Sequence, residues 1–157
     1  MDGNEVLHEE SGSTVVVSGP LVWGADRAIA DWVAEKLDCA NSWVSYRSIG
    51  VLSRDSSQLI AGVVYHGYTG SDVIQSIAAT SPMWARPEVI RGLLAYPFET
   101  LKCRRTTALI SESNTRSWKT MQRIGFQQEG RMRQGGDNGE DLLVFGLTRD
   151  ECRWIDG

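Results

Sequence analysis

The segment that decides the fold runs from Asp72 to Arg131 and alternates apolar runs with helical patterns. It opens with Val73-Ile-Gln-Ser-Ile-Ala-Ala-Thr80, a short apolar run that predicts a strand. A serine and a proline end this run. Helical spacing follows Pro87, because proline is tolerated in the first turn of a helix. A second apolar run, Thr106-Thr-Ala-Leu-Ile-Ser111, predicts the next strand. Two strands joined by a helix are typical of a parallel pair.

A further helix and a return strand complete this segment. Asn114 can cap the helix, and Trp118, Met121 and Ile124 share one face of it. Gly125 ends the helix, since glycine is common directly after a helix, and the apolar residue after it starts the return strand. The order strand, helix, strand, helix, strand predicts an α/β domain.

The rest of the chain adds strands and one more helix. The polar residues 1–13 predict a flexible lead-in, and residues 14–157 predict a single domain. The amphipathic pattern of residues 26–37 predicts a helix. Predicted strands cover residues 14–17, 46–53, 58–65, 126–133 and 142–147.

Composition narrows the function classes. The chain has 157 residues, 41% of them apolar, and a net charge of −4, which disfavours a protein that wraps nucleic acid. No apolar run approaches the ~18 residues of a membrane span, and the acidic N-terminus lacks an apolar signal core, so a cytoplasmic protein is expected. The three cysteines form no CxxC pair and the two histidines lie far apart in sequence, which argues against a structural zinc site and for free thiols.

One spaced motif is more specific than the rest of the sequence. It consists of Asn114-Thr-Arg-Ser117, then Gly125-Phe126, then Glu129-Gly-Arg-Met-Arg133. This pattern resembles the GNAT superfamily of acyl-CoA N-acyltransferases, and most of all its ribosomal-protein N-terminal acetyltransferase branch. Residues 145–154 also resemble the end of small GNAT proteins of tailed phages and prophages. The resemblance covers roughly residues 15–154.

The resemblance implies a GNAT fold, which is a mixed, twisted, mostly antiparallel sheet with a central parallel strand pair and helices on both faces. It implies an N-acetyltransferase that moves the acetyl group of acetyl-CoA directly to a primary amine, either a protein N-terminus or a small molecule. Two alternatives stay open: a non-catalytic GNAT-fold binding protein, and a phage-type enzyme acting on a modified nucleobase, against which the acidic charge argues. A homodimer and, for a phage protein, a host-cytoplasmic location are further expectations.

The cofactor-binding residues follow from the same resemblance. In the family, a segment of the form Val-x-Pro-x-x-(Gln/Arg)-x-x-Gly-x-(Gly/Ala) binds the pyrophosphate, and Pro82 anchors it here. Ala85, Glu88 and Ile90 depart from that pattern, and Arg86 is expected to compensate for the negative charge of Glu88. An ordinary helix start remains the alternative. The predicted cofactor-binding residues are Ala78, Ala79, Thr80, Ala85, Arg86, Glu88, Val89, Asn114 and Ser117.

The catalytic residues are harder to assign. Many GNAT enzymes use a tyrosine as general acid seven residues after the motif asparagine, and Met121 stands there in this chain. We expect Glu112, at the end of a strand, to serve as general base, with Tyr65, His66 and Asp72 as weaker candidates. An N–H group of the strand around Ala78 to Thr80 is expected to hold the oxyanion.

Overall fold

The computed structural model describes residues 4–10 and 13–155, which fold into one nine-stranded sheet with helices on both faces. The strands are β1 (Asn4–Glu10), β2 (Ser13–Ser18), β3 (Leu21–Trp23), β4 (Arg47–Leu52), β5 (Leu59–His66), β6 (Ile74–Ala79), β7 (Arg105–Ser111), β8 (Gln127–Met132) and β9 (Leu142–Thr148). The helices are α1 (Asp26–Leu37), α2 (Pro87–Ala95) and α3 (Thr115–Ile124), with short turns of 3-10 helix at Pro82–Trp84 and Arg149–Glu151 and a π-helical turn at Tyr96–Thr100.

The sheet order is β1-β2-β3-β4-β5-β6-β7-β9-β8. Seven of the eight neighbouring pairs among the described strands are antiparallel, and β6 and β7 are parallel. The parallel register covers only Ile74 opposite Thr107 and Gln75 opposite Ala108. The predicted mixed sheet with one central parallel pair is therefore confirmed.

The helices cover opposite faces of the sheet. α1 lies so close to β5 that a Cβ atom on Gly62 would stand 2.8 Å from Cγ2 of Val33. On the other face, the Tyr65 hydroxyl donates to the Leu93 carbonyl of α2 at 2.7 Å. Met121 of α3 joins the same core cluster. Among the described residues, none of the helices has both the length and the apolar character that crossing a bilayer requires.

Two strands differ from the sequence prediction. Instead of a flexible lead-in, Asn4–Glu10 pairs with β2, because an edge strand needs main-chain partners and not an apolar face; residues 1–3, 11 and 12 lie outside the described part. The sequence predicted no strand at Leu21–Trp23, where the structure has the short β3. It pairs back on β2 through a tight turn in which Gly19 has φ +58°.

The helical segment changes its geometry after α2, at Tyr96. Pro97 lacks an N–H group, and the helix changes there from α to π geometry, with the amide of Leu101 donating to the Tyr96 carbonyl at 2.9 Å.

Replacing Gly62 with alanine should destabilise the fold by about 1–3 kcal/mol, because the new methyl group overpacks the interface between β5 and α1. Urea unfolding would measure the change. Gly130→Ala is the matched control, since a Cβ atom at Gly130 meets nothing within 4 Å. Equal stability of the two variants would contradict this account of how α1 packs.

Candidate functional site

The strands β6 and β7 separate directly after their two paired positions. β6 stays paired with β5 as far as Ala79, and β7 stays paired with β9 as far as Ser111. We call the resulting gap, between residues 76–79 and residues 109–111, the seam. The amide of Thr80 donates to the Ile60 carbonyl at 2.9 Å. Because antiparallel strands alternate the direction of their hydrogen bonds, the N–H groups of Ile77 and Ala79 then face the seam.

The other side of the seam has the same character. The amide of Thr107 donates to the Val73 carbonyl at 3.0 Å, across the parallel pair. By the same alternation, the main-chain groups of Leu109 and Ser111 face the seam. An extended ligand with amide groups of its own can therefore be bound here as an additional strand segment.

Three cavities meet at the seam. The α3 cavity, of about 110 Å³, lies on the face of α2 and α3. The inner cavity, of about 190 Å³, and the outer cavity, of about 460 Å³, lie on the face of α1. Asn114 borders all three. The α3 cavity is lined by Ile77, Ala78, Ala79, Ser81, Pro82, Trp84, Asn114, Arg116, Ser117 and Thr120.

Four of the predicted cofactor-binding residues come together in the α3 cavity: Ala78, Ala79, Asn114 and Ser117. Asn114 occupies the position before α3, but its side chain makes no capping hydrogen bond. The amide of Thr80 is already bound by β5, so it does not face the seam.

The predicted residues at the start of α2 lie elsewhere. The amides of Ala85 and Val89 donate to main-chain carbonyls at 3.3 Å and 3.0 Å. Arg86 is 8% exposed, donates to the Leu52 carbonyl at 3.4 Å and pairs with Glu88 at 3.8 Å. Its Nε and Nη1 atoms are buried without a hydrogen bond to the described residues. None of these four residues lines the α3, inner or outer cavity.

Neither Glu112, the expected general base, nor Tyr65 lines the α3, inner or outer cavity. Arg131 binds the Glu112 carboxylate at 2.8 Å, which holds that carboxylate in an ion pair. Tyr65 is buried in the core with its hydroxyl bound by Leu93. Burial raises the pKa of Tyr65 well above its ordinary value, so its proton is retained.

His66 stands in the wall of the inner cavity instead. Its Nε2 atom lies 3.0 Å from the Ser76 hydroxyl oxygen, and its ring centroid lies 5.8 Å from that of Trp43. Burial lowers the pKa of His66 below its ordinary value of 6.5, because the charged form is poorly solvated there. The imidazole is therefore neutral at pH 7. The pairing of β5 with β6 brings His66 beside Ser76, a relation that single-strand patterns do not reveal.

Much of the inner-cavity wall comes from two loops, of which sequence reasoning missed the one before β9. The two loops, the connector after α1 and the loop before β9, are bound together: the amide of Ala40 donates to Asp137 at 2.8 Å and Asn138 donates to the Asp38 carbonyl at 3.0 Å. Cys39 lies in this wall. Burial and the nearby carboxylates of Asp137, Asp38 and Glu140 raise the pKa of its thiol. Residues from two distant loops carry no local motif that could have identified them.

No family model and no curated protein matches the sequence. Solved structures do match the fold. The ribosomal-protein S5 alanine acetyltransferase of Vibrio fischeri matches with a TM-score of 0.57 and 16% identity over 69% of this chain, a match that spans 64% of that protein's length. A GNAT-family acetyltransferase of Bacillus anthracis matches with a TM-score of 0.56 and 21% identity over 66% of this chain and 67% of its own.

A spermidine N-acetyltransferase of Vibrio cholerae, solved in complex with CoA and spermine, is also similar. Its TM-score is 0.56 and its identity 16%, over 68% of this chain and 67% of its own. At these identities the matches establish the fold, which is the one found in these acetyltransferases.

The pKa of His66 predicts a pH dependence of stability. Because the folded state holds this pKa below 6.5, the unfolded state binds more protons, and stability falls as pH drops below about 6.5. His66→Gln should flatten this part of the curve, measured by urea unfolding between about pH 5 and 7.5. His8 is present in both proteins and cancels in the comparison. Parallel curves for both proteins would show that the fold does not perturb His66.

Proposed function

We propose that the protein is an acetyl-CoA-dependent N-acetyltransferase that transfers the acetyl group directly to a primary amine. The observation that carries this proposal is the seam, where a cavity on each face of the sheet reaches the same asparagine, Asn114. One ligand can enter from the face of α3 and the other from the face of α1. Their reacting atoms then meet between β6 and β7.

The acetyl-CoA is assigned to the α3 cavity. The amide groups of its pantetheine arm would bind the main chain of Ile77 and Ala79 along the open edge of β6. The phosphates would lie at the first turn of α3, where the amides of Thr115 and Arg116 precede the first hydrogen bonds of the helix, which run from Ser117 and Trp118 to the Asn114 carbonyl. Arg116 lines the cavity at this turn and supplies a positive charge.

The start of α2 contributes less than the family pattern implies. Pro87 in its first turn has no N–H group, Glu88 brings a negative charge, and the amides of Val89 and Ile90 donate to the Arg86 carbonyl. The Arg86 side chain donates to the Leu52 carbonyl and lines none of the three cavities, so its charge is not assigned to the phosphates.

The acetyl carbonyl oxygen would be bound by the amide of Ala79. This N–H group faces the seam, whereas the amide of Thr80 is held by β5. A fixed donor at the position where negative charge develops stabilises the tetrahedral intermediate, and such a donor commonly contributes ~10²–10³ in rate.

The acceptor amine is assigned to the inner and outer cavities. Asp137 and Glu140 line the inner cavity beside Trp43. Two carboxylates favour an acceptor with positive charge over an acceptor with negative charge. Spermidine and a peptide with N-terminal alanine are the two acceptors to test first, because they correspond to the structural relatives named above.

A non-catalytic binding protein with this fold is the second candidate. It is favoured by the amides of α2 that are already bound, and by Met121, which is 3% exposed in the core at the position of the family's general acid. Such a protein would use the same cavities without turnover.

Acetyl-CoA should raise the melting temperature of the protein, because a ligand of the native state adds RT ln(1 + [L]/Kd) to its stability. Arg116→Ala should raise the Kd of acetyl-CoA about tenfold, which corresponds to ~1.4 kcal/mol, since a charge-assisted hydrogen bond to phosphate is lost. Isothermal titration calorimetry measures the Kd of acetyl-CoA for the wild type and for the variant.

Lys119→Ala is the matched control. Lys119 is a cation of the same helix, is exposed and lines none of the three cavities, so its removal should leave the Kd unchanged. Equal losses for the two variants would indicate a general electrostatic effect. No binding by the wild type would overturn the cofactor assignment.

Transfer should proceed without an acetylated enzyme. Cys39 lies in the inner-cavity wall, but its raised pKa keeps it a thiol at neutral pH, which is a weak nucleophile. We expect Cys39→Ala to retain turnover of acetyl-CoA with spermidine or the alanine peptide. The release of free CoA thiol measures this turnover, and mass spectrometry identifies the product.

A covalent route would behave differently. Loss of a true nucleophile commonly costs on the order of 10⁶ in rate. Such a loss in Cys39→Ala, together with a trapped acetyl group on the wild-type protein that passes to the amine, would overturn direct transfer. Acetyl-CoA that binds but is never turned over with any primary amine would favour the non-catalytic candidate.

A further inference from the structure

His66 and Ser76 occupy consecutive steps on the way to the seam. The sheet order places β5, β6 and β7 side by side, with the seam beyond β6. His66 belongs to β5 and Ser76 to β6, and the Nε2 atom of the imidazole lies 3.0 Å from the hydroxyl oxygen. Both side chains line the inner cavity. The hydroxyl therefore lies between the imidazole and the seam, where the reacting atoms are assigned to meet.

We propose that Ser76 and His66 form a proton relay that removes the proton of the acceptor amine. This inference rests on the proposed acetyl transfer and names the base for it. The nitrogen gives its proton to the Ser76 oxygen, and the Ser76 hydroxyl gives its own proton to Nε2 of His66. The neutral nitrogen then adds to the acetyl carbonyl carbon, whose oxygen takes up the negative charge beside the Ala79 amide. The tetrahedral intermediate collapses as the C–S bond breaks, and the CoA thiolate leaves with the electron pair and takes up the second proton of the nitrogen. The imidazolium then returns its proton to solvent.

The relay requires a particular state of the imidazole. Nε2 must be unprotonated, so the ring proton sits on Nδ1 and the Ser76 hydroxyl donates to Nε2. Burial lowers the pKa of His66, which keeps the ring neutral at the pH where a base is needed. The Trp43 ring at 5.8 Å packs against the imidazole and restricts its rotation.

Other titratable groups face the same space. Cys39, Asp137 and Glu140 line the inner cavity, and Lys36 and Asp38 line the outer one. The Asp137 carboxylate accepts from the amide of Ala40, and Glu140 accepts from the amide of Asn138 at 3.0 Å. These carboxylates are therefore engaged by the loops that close the cavity.

The test uses the full chain with acetyl-CoA and spermidine or the alanine peptide. His66→Gln should lower kcat by about 10²-fold or more while leaving the Kd of acetyl-CoA unchanged. The wild-type kcat should fall as pH drops through the His66 pKa, and the variant should lose this acidic limb. Ser76→Ala should also lower kcat, because the path to Nε2 is broken.

A rescue experiment separates chemistry from structure. His66→Ala opens space for free imidazole, and imidazole should restore part of kcat in this variant but not in Ser76→Ala. Glu112→Gln tests the rival base. Loss of the acidic limb in Glu112→Gln and its retention in His66→Gln would overturn the relay while leaving the acetyltransferase assignment intact. Failure of the wild type to acetylate any amine would overturn the acetyltransferase assignment itself, and the relay with it.

Discussion

The whole site depends on how little β6 and β7 pair. Only two residue pairs join these parallel strands, and side-chain hydrogen bonds reinforce the contact at and before these pairs. Gln75 donates to the Thr106 hydroxyl at 2.9 Å, which donates to the Val73 carbonyl at 2.8 Å, and Thr107 donates to Asp72 at 2.9 Å. These bonds fix the point at which the strands stop pairing. Beyond this point β6 stays paired with β5 and β7 stays paired with β9, so the sheet opens between β6 and β7 while both flanking pairs remain intact.

An open seam inside a sheet carries a physical cost. Main-chain N–H and C=O groups that face it need partners, since a buried polar group without a hydrogen bond costs free energy. Water or an extended ligand must supply those partners. A ligand with amide groups at strand spacing satisfies them best, which is why the same opening that weakens the sheet creates affinity. The fold and the proposed cofactor site are thus two consequences of one interrupted ladder.

Much of the fold follows from the period of the apolar residues. Residues 26–37 could be predicted because their apolar residues repeat with the period of a helix, and the structure has α1 there. Residues 142–147 could be predicted because they form one short apolar run, and the structure has β9 there. Asn114, which the motif assigns to cofactor binding, lies where the three cavities meet, and its role there stays a prediction. The direction of Arg86 could not be predicted, because its side chain turns inward to a carbonyl on another element. The hydrogen bond from the Thr80 amide to the Ile60 carbonyl could not be predicted either, because it depends on the register of β5 and β6.

The energy of the proposed reaction explains where this chain needs a catalytic group. A lysine-like amine has a pKa near 10.4, so deprotonating it at pH 7 costs about 4–5 kcal/mol. A thiol has a pKa near 8.5, so releasing it as a thiolate costs only about 2 kcal/mol. For an acceptor of the spermidine type, a general acid at the leaving group therefore contributes less than a base at the amine. An N-terminal amine, with a pKa of about 7.7–8.0, loses its proton at a cost of only about 1 kcal/mol. Met121 packs in the core at the position where the GNAT enzymes that the motif resembles often have their acid, and a neutral imidazole lies on the face where the amine would enter. A methionine in place of an acid at position 121, and an imidazole on the face where the amine would enter, are both consistent with the proposed acetyl transfer.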